Sequence, residues 1–202
     1  MFITFEGIDG SGKSTQARLL AAHLTAQGKQ VILTREPGGS AGAEDIRRLL
    51  VEGDPGRWSA ETEILLFTAA RRDHLERTIR PALAAGTIVI SDRFADSTRV
   101  YQGAARSNLR DTVDRLHDLM IGMEPDVTLI LDTDPDAALA RGLARKSGED
   151  RFEDMGASFQ HALRAGFTEL AAANPQRCTL INGDRPVADV AQDIATRIET
   201  LL

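Results

Sequence analysis

Short apolar runs alternate with longer amphipathic stretches along this 202-residue chain. Between the runs, apolar residues recur at the three- and four-residue spacing of helices. Strands that alternate with helices form parallel sheets covered on both faces. The pattern therefore predicts an α/β fold, a three-layer α/β/α sandwich. Its five-stranded parallel sheet is predicted from the apolar, β-branched runs at residues 2–5, 31–34, 87–91, 127–131 and 178–181.

The helical stretches carry start and stop signals. We predict the first helix over residues 13–26, ended by Gly28. Pro81 is expected to kink or split a long helical stretch over residues 60–84. The last helix carries an apolar stripe of Val187, Val190, Ala191, Ile194 and Ile198. Further helices are predicted over residues 43–52, 97–103, 109–122, from 134 onwards and 159–172.

A glycine-rich segment follows the first strand directly. From Gly7 it reads GIDGSGKST, which fits the Walker A pattern G-x-x-x-x-G-K-S. Backbone N–H groups of such a loop face phosphate oxygens, Lys13 reaches the β- and γ-phosphates, and the Ser14 hydroxyl can hold Mg²⁺. A chance GKS in a glycine-rich turn is the alternative, but strand, loop and helix follow in the order the motif requires. The predicted triphosphate-binding residues are Gly7, Ile8, Asp9, Gly10, Ser11, Gly12, Lys13, Ser14 and Thr15.

Two further features are expected at the same edge of the sheet. Asp92 ends the third strand, as a Walker B acid does, and could orient Mg²⁺ while Arg93 faces phosphate. A simple capping pair at the strand end is the alternative. The turn REPGG at residues 35–39 follows the second strand, where open parallel sheets bind ligands, although it could be only a loop.

Basic residues are concentrated around residues 141–153. Arg141, Arg145, Lys146 and Arg151 flank a Ser-Gly break there. Such a run is either a solvated helix end or a lid whose arginines close over the transferred phosphoryl group.

The composition limits the function classes. A net charge of -6 and a pI near 5.3 argue against non-specific nucleic-acid binding, and no partner of that kind is expected. Only three basic residues are lysines, so the arginines reflect either bidentate phosphate recognition or compositional bias. The lone Cys178 is expected to be a reduced core thiol. The N-terminal apolar run is too short for a secretory or membrane segment, and we expect a cytoplasmic, single-domain protein over residues 1–202.

A phosphate loop alone leaves several classes open. Guanine-specific switches carry an N/T-K-x-D segment near the fifth strand, and neither Lys29 nor Lys146 has that setting. Motors and transporters add coupling elements, whereas this chain is nearly used up by the sandwich. These observations favour a small-molecule kinase.

Six motifs follow one another along essentially the whole chain. They are GIDGSGKST at 7–15, REPGG at 35–39, LLFTAARR at 65–72, SDRF at 91–94, STRVYQG at 97–103 and DRFE at 150–153. Together they resemble the thymidylate kinase family. The resemblance implies transfer of the γ-phosphoryl group of ATP, with Mg²⁺, to dTMP.

The resemblance also implies residue roles in binding dTMP. Phe67 would stack on thymine, although a core aromatic is the alternative, and Arg71 would bind the base edge one helical turn further on. Asp9 would accept from the sugar 3′-hydroxyl and Tyr101 would disfavour ribonucleotides. The implied substrate-binding residues are Asp9, Glu36, Pro37, Arg47, Phe67, Arg71, Arg93, Thr98, Tyr101 and Gln102. Among them Arg47 and Arg93 would hold the acceptor phosphate, Thr98 and Gln102 would read the base, and Pro37 would shape the base pocket, with an expected cis bond after Glu36.

The catalytic charge is expected from outside the phosphate loop. No basic residue lies between Gly7 and Gly12, so the family pattern points to lid residues Arg145 and Arg151, with Arg141 second, beside Lys13 and Arg93. Ser14 and Asp92 would bind the metal. The resemblance further suggests a homodimer through helices 60–84 and 109–122, whose apolar faces could equally be core. A kinase of another nucleotide or a deoxynucleoside, and a non-catalytic ATP-dependent switch, remain the rival hypotheses.

Overall fold

Five strands form one parallel sheet in the computed structural model, which describes residues 1–54, 56–106, 109–143 and 156–202. The strands are β1 (Phe2–Glu6), β2 (Val31–Arg35), β3 (Ile88–Asp92), β4 (Val127–Asp132) and β5 (Cys178–Asn182). They lie in the order β2-β3-β1-β4-β5, and all four pairings are parallel. The predicted sheet is confirmed, and each strand ends one residue later than predicted.

The central position of β1 determines what surrounds the phosphate loop. Phe5 is paired with Asp92 of β3 on one side and with Leu129 of β4 on the other. The carboxyl ends of the three strands therefore meet at one edge of the sheet. The glycine-rich loop leaves β1 at this edge, next to Asp92 and Arg93.

Helices connect the strands. Gly28, with a φ of +79°, follows the first helix and ends it as predicted. The α-helices are α1 (Lys13–Ala26), α2 (Ala41–Val51), α3 (Ala60–His74), α4 (Arg80–Ala84), α5 (Ala95–Thr98), α6 (Arg110–Met120), α7 (Pro135–Leu143), α8 (Ala157–Ala173) and α9 (Val187–Glu199). Two π-helical segments are π1 (Leu75–Ile79) and π2 (Arg99–Arg106).

Both π-helical segments lie in stretches that the sequence predicts as helical. Pro81 splits the stretch over residues 60–84 as expected, and π1 precedes it. In π1 the N–H of Arg80 donates to the carbonyl of Leu75, five residues back, and Pro81 has no N–H to continue the α pattern. The helical segment predicted over residues 97–103 is confirmed as helical, and most of it is π2 rather than α-helix.

Apolar side chains cover both faces of the sheet. On one face, Leu24 of α1 and Ile198 of α9 pack against Phe5 and Leu129. Elsewhere on the sheet, residues of α8 and π1 pack on Ile130, Val89 and Phe2. The predicted three layers are thus confirmed.

Two predicted core residues differ in outcome. Cys178 is buried and has a free thiol, as predicted, and burial raises its pKa to about 11. Val187, placed in the apolar stripe of the last helix, is 55% exposed, so that assignment is wrong. It lies in the first turn of α9 and lines the cavity described below.

Among the described residues, no helix combines the length and the apolar character needed to cross a bilayer. The predicted lid at residues 141–153 lies largely outside the described residues, including Arg145 and Arg151.

Candidate active site

A cavity of about 640 Å³ lies at the carboxyl edge of the sheet. The phosphate loop forms one side, and the turn after β2, α2, α3 and π2 form the other. Most of the residues predicted from the sequence line it, which are Asp9, Gly10, Ser11, Gly12, Lys13, Ser14, Thr15, Glu36, Pro37, Arg47, Phe67, Arg71, Asp92, Arg93, Thr98, Tyr101, Gln102 and Arg141. The structure therefore brings both predicted halves of the site into one space.

Two of the predicted triphosphate-binding residues do not line this cavity. Gly7 faces β4, where an added Cβ would lie 2.7 Å from the carbonyl oxygen of Leu131. The Ile8 side chain is buried against residues of α8 and π2. Any contribution of these two residues to phosphate binding therefore comes from the backbone.

Lys13 lies folded into the phosphate loop. Its Nζ donates to the carbonyl oxygen of Ile8 at 2.6 Å and to Ser11 Oγ at 3.4 Å. Burial, followed by the positive charge of Arg93, lowers the pKa of Lys13 to about 8. A phosphate bound in the loop would favour the protonated, positively charged form of Lys13. Lys13 is therefore placed to bind an anion in the loop.

Ser14 and Asp92 form an oxygen pair at the mouth of the loop. Ser14 Oγ donates to Asp92 Oδ2 at 2.5 Å. A hydroxyl and a carboxylate are hard oxygen donors of the type that Mg²⁺ takes from proteins when phosphates complete its shell. The donor set fits that ion.

Arg93 connects the two halves of the cavity. Its Nη1 donates to the carbonyl oxygen of Gly7 at 3.0 Å, and its Nη2 donates to Asp9 Oδ1 at 2.6 Å and to Tyr101 Oη at 3.1 Å. Its backbone has a φ of +73°, a left-handed conformation that costs a non-glycine residue about 1 kcal/mol. The hydrogen bonds of the Arg93 side chain offset the unfavourable conformation of its backbone.

Asp9 faces the acceptor half of the site. Its Oδ2 accepts from the Tyr101 hydroxyl at 2.8 Å, in addition to the Arg93 contact. Burial alone would raise the pKa of Asp9, but Arg93 and Lys13 outweigh it and hold the pKa below its usual range. The carboxylate is thus ionised and available as a hydrogen-bond acceptor.

A buried arginine lies on the wall opposite the loop. Arg71 donates from Nε to Glu36 Oε2 at 2.7 Å, and from Nη2 to Thr98 Oγ1 at 3.0 Å and to the carbonyl oxygen of Phe94 at 3.2 Å. Glu36 also lies 3.0 Å from His74 Nδ1. These contacts fix the guanidinium edge of Arg71 at the cavity wall, one helical turn from Phe67.

The remaining acceptor residues have defined partners. Gln102 Nε2 donates to Glu63 Oε2 at 3.0 Å. Arg47 Nη1 donates to the carbonyl oxygen of Pro37 at 2.6 Å, and the Glu36–Pro37 bond is cis as expected. Thr98 and Gln102 both line the cavity although the α-to-π change falls between them.

Several residues of the site were not predicted. Ser97 accepts a hydrogen bond from Arg93, and the buried Glu6 accepts one from Ser97. The sequence signal for Glu6 was a charged residue directly after an apolar strand. On the donor side, Gly183, Arg185 and Val187 line the cavity after β5. Their position at the carboxyl end of a strand was the available signal.

Comparisons with known proteins agree on one family. The sequence model of the family described as thymidylate kinase matches residues 5–194. The chain is 70% identical over 196 residues to the thymidylate kinase of Dinoroseobacter shibae, covering 97% of this chain and 95% of the relative. It is 63% identical over 202 residues to that of Ruegeria pomeroyi, covering 100% and 96%.

A solved structure is similar over nearly the full length. The crystal structure of thymidylate kinase from Ehrlichia chaffeensis superposes with a TM-score of 0.80 at 38% identity, covering 98% of each chain. The chain belongs to the thymidylate kinase family.

Proposed function

We propose that this cavity carries out the reaction of the thymidylate kinase family, transfer of the γ-phosphoryl group of ATP to dTMP, with Arg93 between the two substrates. The observation that carries the proposal is the position of the Arg93 guanidinium. It bonds the phosphate loop at Gly7 and the acceptor half at Tyr101, and Asp9 lies between them. A cation at the junction of two anionic substrates suits a reaction that depends on positioning and charge neutralisation.

The acceptor roles follow from the cavity wall opposite the loop. Phe67 stacks on the thymine ring, and Arg71, held by Glu36, binds the base edge together with Thr98 and Gln102. Pro37 shapes the base pocket.

The sugar and phosphate of dTMP are bound nearer the loop. Asp9 accepts from the 3′-hydroxyl, and Tyr101 occupies the side of the sugar where a ribose 2′-hydroxyl would lie. Arg47 and Arg93 hold the 5′-phosphate, since both line the cavity and both carry a guanidinium that can bond phosphate in pairs.

The donor roles belong to the phosphate loop. Backbone N–H groups from Asp9 to Thr15 and the ammonium of Lys13 bind the triphosphate, and Ser14 and Asp92 hold Mg²⁺. When bound, the metal neutralises charge on the β- and γ-phosphates. Arg145 and Arg151 remain the proposed lid arginines, and Arg141, whose Nε donates to the Gly10 carbonyl at 3.1 Å, is the second choice.

The mechanism requires no general base. The acceptor phosphate of dTMP is already an anionic nucleophile, so in-line attack on the γ-phosphorus needs orientation and charge stabilisation only. Lys13 and Arg93 supply that charge from the described part of the chain, and no covalent intermediate on the protein is needed.

We also propose a homodimer in the cytoplasm. Helices α3 and α6 contact each other, and each leaves a leucine in solvent, Leu65 at 59% and Leu119 at 78% exposed. A second copy of the chain would cover these side chains.

The test is a coupled ADP-release assay with ATP and Mg²⁺ on dTMP, dUMP, dCMP and dGMP. We expect the highest kcat/KM for dTMP. Preference for another nucleotide or for a deoxynucleoside would favour the rival kinase hypothesis. Single-turnover transfer of labelled phosphate to dTMP separates an enzyme from a non-catalytic switch.

A variant pair assigns the base-binding role. Arg71→Ala should raise KM for dTMP by about 10- to 100-fold, as loss of a charged hydrogen bond does. Arg72→Ala is the matched control, because Arg72 is the next residue on α3 but bonds Glu76 and the Met120 carbonyl instead. Equal KM values for both variants would contradict the assignment.

A further inference from the structure

The last residue of β1 is a carboxylate with no access to solvent. Glu6 is 0% exposed and follows four residues that are themselves buried. A buried charge is costly unless it is hydrogen-bonded, so its contacts indicate what it contributes. None of the roles described above uses it.

Among the described residues, the side chain of Glu6 accepts its hydrogen bonds from the segment after β3. Oε1 accepts from the backbone N–H of Phe94 at 2.8 Å and from that of Ser97 at 3.3 Å. Oε2 accepts from the Ser97 hydroxyl at 2.6 Å. The carboxylate therefore fixes both ends of the short segment that begins right after Arg93.

Ser97 passes this restraint to the guanidinium. Its Oγ donates to Glu6 and accepts from Arg93 Nη1 at 2.7 Å. The same Nη1 bonds the carbonyl of Gly7, and Nη2 bonds Asp9. A continuous chain thus runs from Glu6 through Ser97 to the cation between the substrates.

The backbone of Arg93 makes such a restraint necessary. Its φ of +73° is left-handed, a conformation that glycine adopts easily but that is unfavourable for arginine. Glu6 bonds the N–H of the next residue, Phe94, and so holds the peptide that follows the strained one.

We propose that Glu6 is a positioning residue for catalysis, which acts through the Ser97 hydroxyl to hold Arg93 at the junction of the ATP and dTMP sites. Glu6 contacts neither substrate. This inference rests on the proposed role of Arg93.

Two substitutions break the chain at different links. Ser97→Ala removes the hydroxyl and leaves the backbone bonds of Glu6 in place. Glu6→Gln keeps an oxygen for the two backbone N–H groups but presents an amide donor to Ser97, which then loses the acceptor for its own hydrogen. Each should lower kcat by about tenfold, with a larger change in KM for dTMP than for ATP, as misplacement of a reacting group predicts.

The double variant separates positioning from general destabilisation. Because both residues act through one chain, Glu6→Gln with Ser97→Ala should be about as slow as the slower single variant. Thr4→Val is the matched control. It removes a buried hydroxyl two residues before Glu6, whose partner is Thr128 rather than Ser97, and should leave kcat and both KM values unchanged.

Urea unfolding of each variant checks the folded fraction. If Glu6→Gln does not fold, Ser97→Ala alone decides, since it preserves the contacts of Glu6 with Phe94 and the Ser97 backbone. Wild-type kcat and KM for dTMP in Ser97→Ala would overturn the inference, as would fully multiplicative losses in the double variant. Arg93→Ala tests separately the proposed role of Arg93, on which this inference rests. Wild-type activity in that variant would refute the role of Arg93 itself.

Discussion

Two ionisable side chains lie within and behind the phosphate loop, where water barely reaches them. Lys13 is 6% exposed inside the loop, and Glu6 is fully buried behind it. Burial shifts both pKa values toward neutrality, to about 8 for Lys13 and about 7 for Glu6. Their charge states therefore depend on pH within the range in which the enzyme can be studied.

Lys13 should make ATP binding pH-dependent. Above a pKa of about 8 the free enzyme loses the Lys13 proton, and triphosphate binding must recover it. We expect the Kd for ATP to rise by about tenfold per pH unit above that value, with uptake of about one proton.

Titration calorimetry from about pH 7 to about pH 9.5, in buffers of different ionisation heat, measures both quantities. Lys13→Arg, which keeps its charge over this range, should show no such rise. An affinity for ATP that stays constant in the wild type would contradict the prediction.

Glu6 should make the stability of the fold fall as the pH rises. Burial first, and then the negative charge of Asp96, raise the pKa of Glu6 from 4.5 to about 7 in the folded protein. The folded state therefore holds the proton more tightly than the unfolded chain, so this contribution to stability is present below pH 4.5 and is lost as the pH rises through about 7.

The comparison with Glu6→Gln isolates this contribution. Between about pH 5 and about pH 8, the free energy of unfolding of the wild type should fall more than that of the variant. Urea unfolding at several pH values measures it. Parallel curves for the two proteins would show that Glu6 does not titrate in this window.

At the residue level, motif spacing predicted the phosphate loop, because local sequence alone arranges those N–H groups. The contact of Glu6 with Ser97 joins positions 91 residues apart, and its geometry depends on which strands are neighbours. A single sequence carries no such information, although the charged end of an apolar strand marked Glu6 as unusual.

The elements around the site pack tightly enough to exclude single methyl groups. Gly10 of the phosphate loop faces α7, and an added Cβ would lie 1.9 Å from the carbonyl oxygen of Ala138. Arg141 of the same helix bonds the Gly10 carbonyl. The loop and the first turns of α7 are therefore fixed to each other.

Gly10→Ala should remove most activity because the loop must shift away from α7. We expect kcat/KM for ATP to fall by about 100-fold, the scale set by small displacements of reacting groups. Gly28→Ala is the matched control, since its φ of +79° is close to the +77° of Gly10 but nothing lies within 4 Å of the added Cβ.

The control should lose about 1 kcal/mol of stability and keep its kinetics. Thermal unfolding and steady-state assays of both variants provide the comparison. Similar kinetics for Gly10→Ala and the wild type would mean that α7 does not restrain the loop.

Helix positions were predictable from periodicity, but helix type was not. An α-helix and a π-helix give nearly the same pattern of apolar positions over one or two turns. Pro81 marked the end of regular α structure, whereas nothing local marked the change at Arg99, where Arg99 itself bonds Asp96, Asp114 and Glu124. Two of these partners, Asp114 and Glu124, lie 15 and 25 residues further along the chain, so local periodicity does not reveal the contacts made where π2 begins.

The fold places the phosphate loop and the proposed acceptor wall along one edge of the sheet. Alternating strands and helices predicted the parallel sheet, but the order β2-β3-β1-β4-β5 could not be read from the pattern. That order places β3 beside β1, and so Asp92 and Arg93 beside the phosphate loop. Ligands of open parallel sheets bind where the strand order reverses, which here is next to β1.

The oligomeric state is a property of the whole molecule. Light scattering should give about twice the mass of one chain if helices α3 and α6 form the interface, as C2 homodimers do. Leu119→Glu should shift the protein to the monomer, because Leu119 is the most exposed large apolar side chain of α6.

Leu202→Glu, at an exposed C-terminal leucine remote from α6 in the chain, is the control and should leave the mass unchanged. A wild-type mass of one chain would contradict the dimer. If Leu119→Glu remains a dimer and a substitution on another surface gives the monomer, the interface lies on that other surface.

The most direct test of a cavity that binds ATP at the phosphate loop and dTMP at the opposite wall is a crystal structure with dTMP, Mg²⁺ and a non-hydrolysable ATP analogue. We expect thymine to stack on Phe67 and to bond Arg71. We expect the acceptor phosphate and the γ-phosphate on either side of Arg93, and the metal at Ser14 and Asp92. A thymine ring bound away from Phe67 and Arg71, or an Arg93 that contacts neither phosphate, would contradict it.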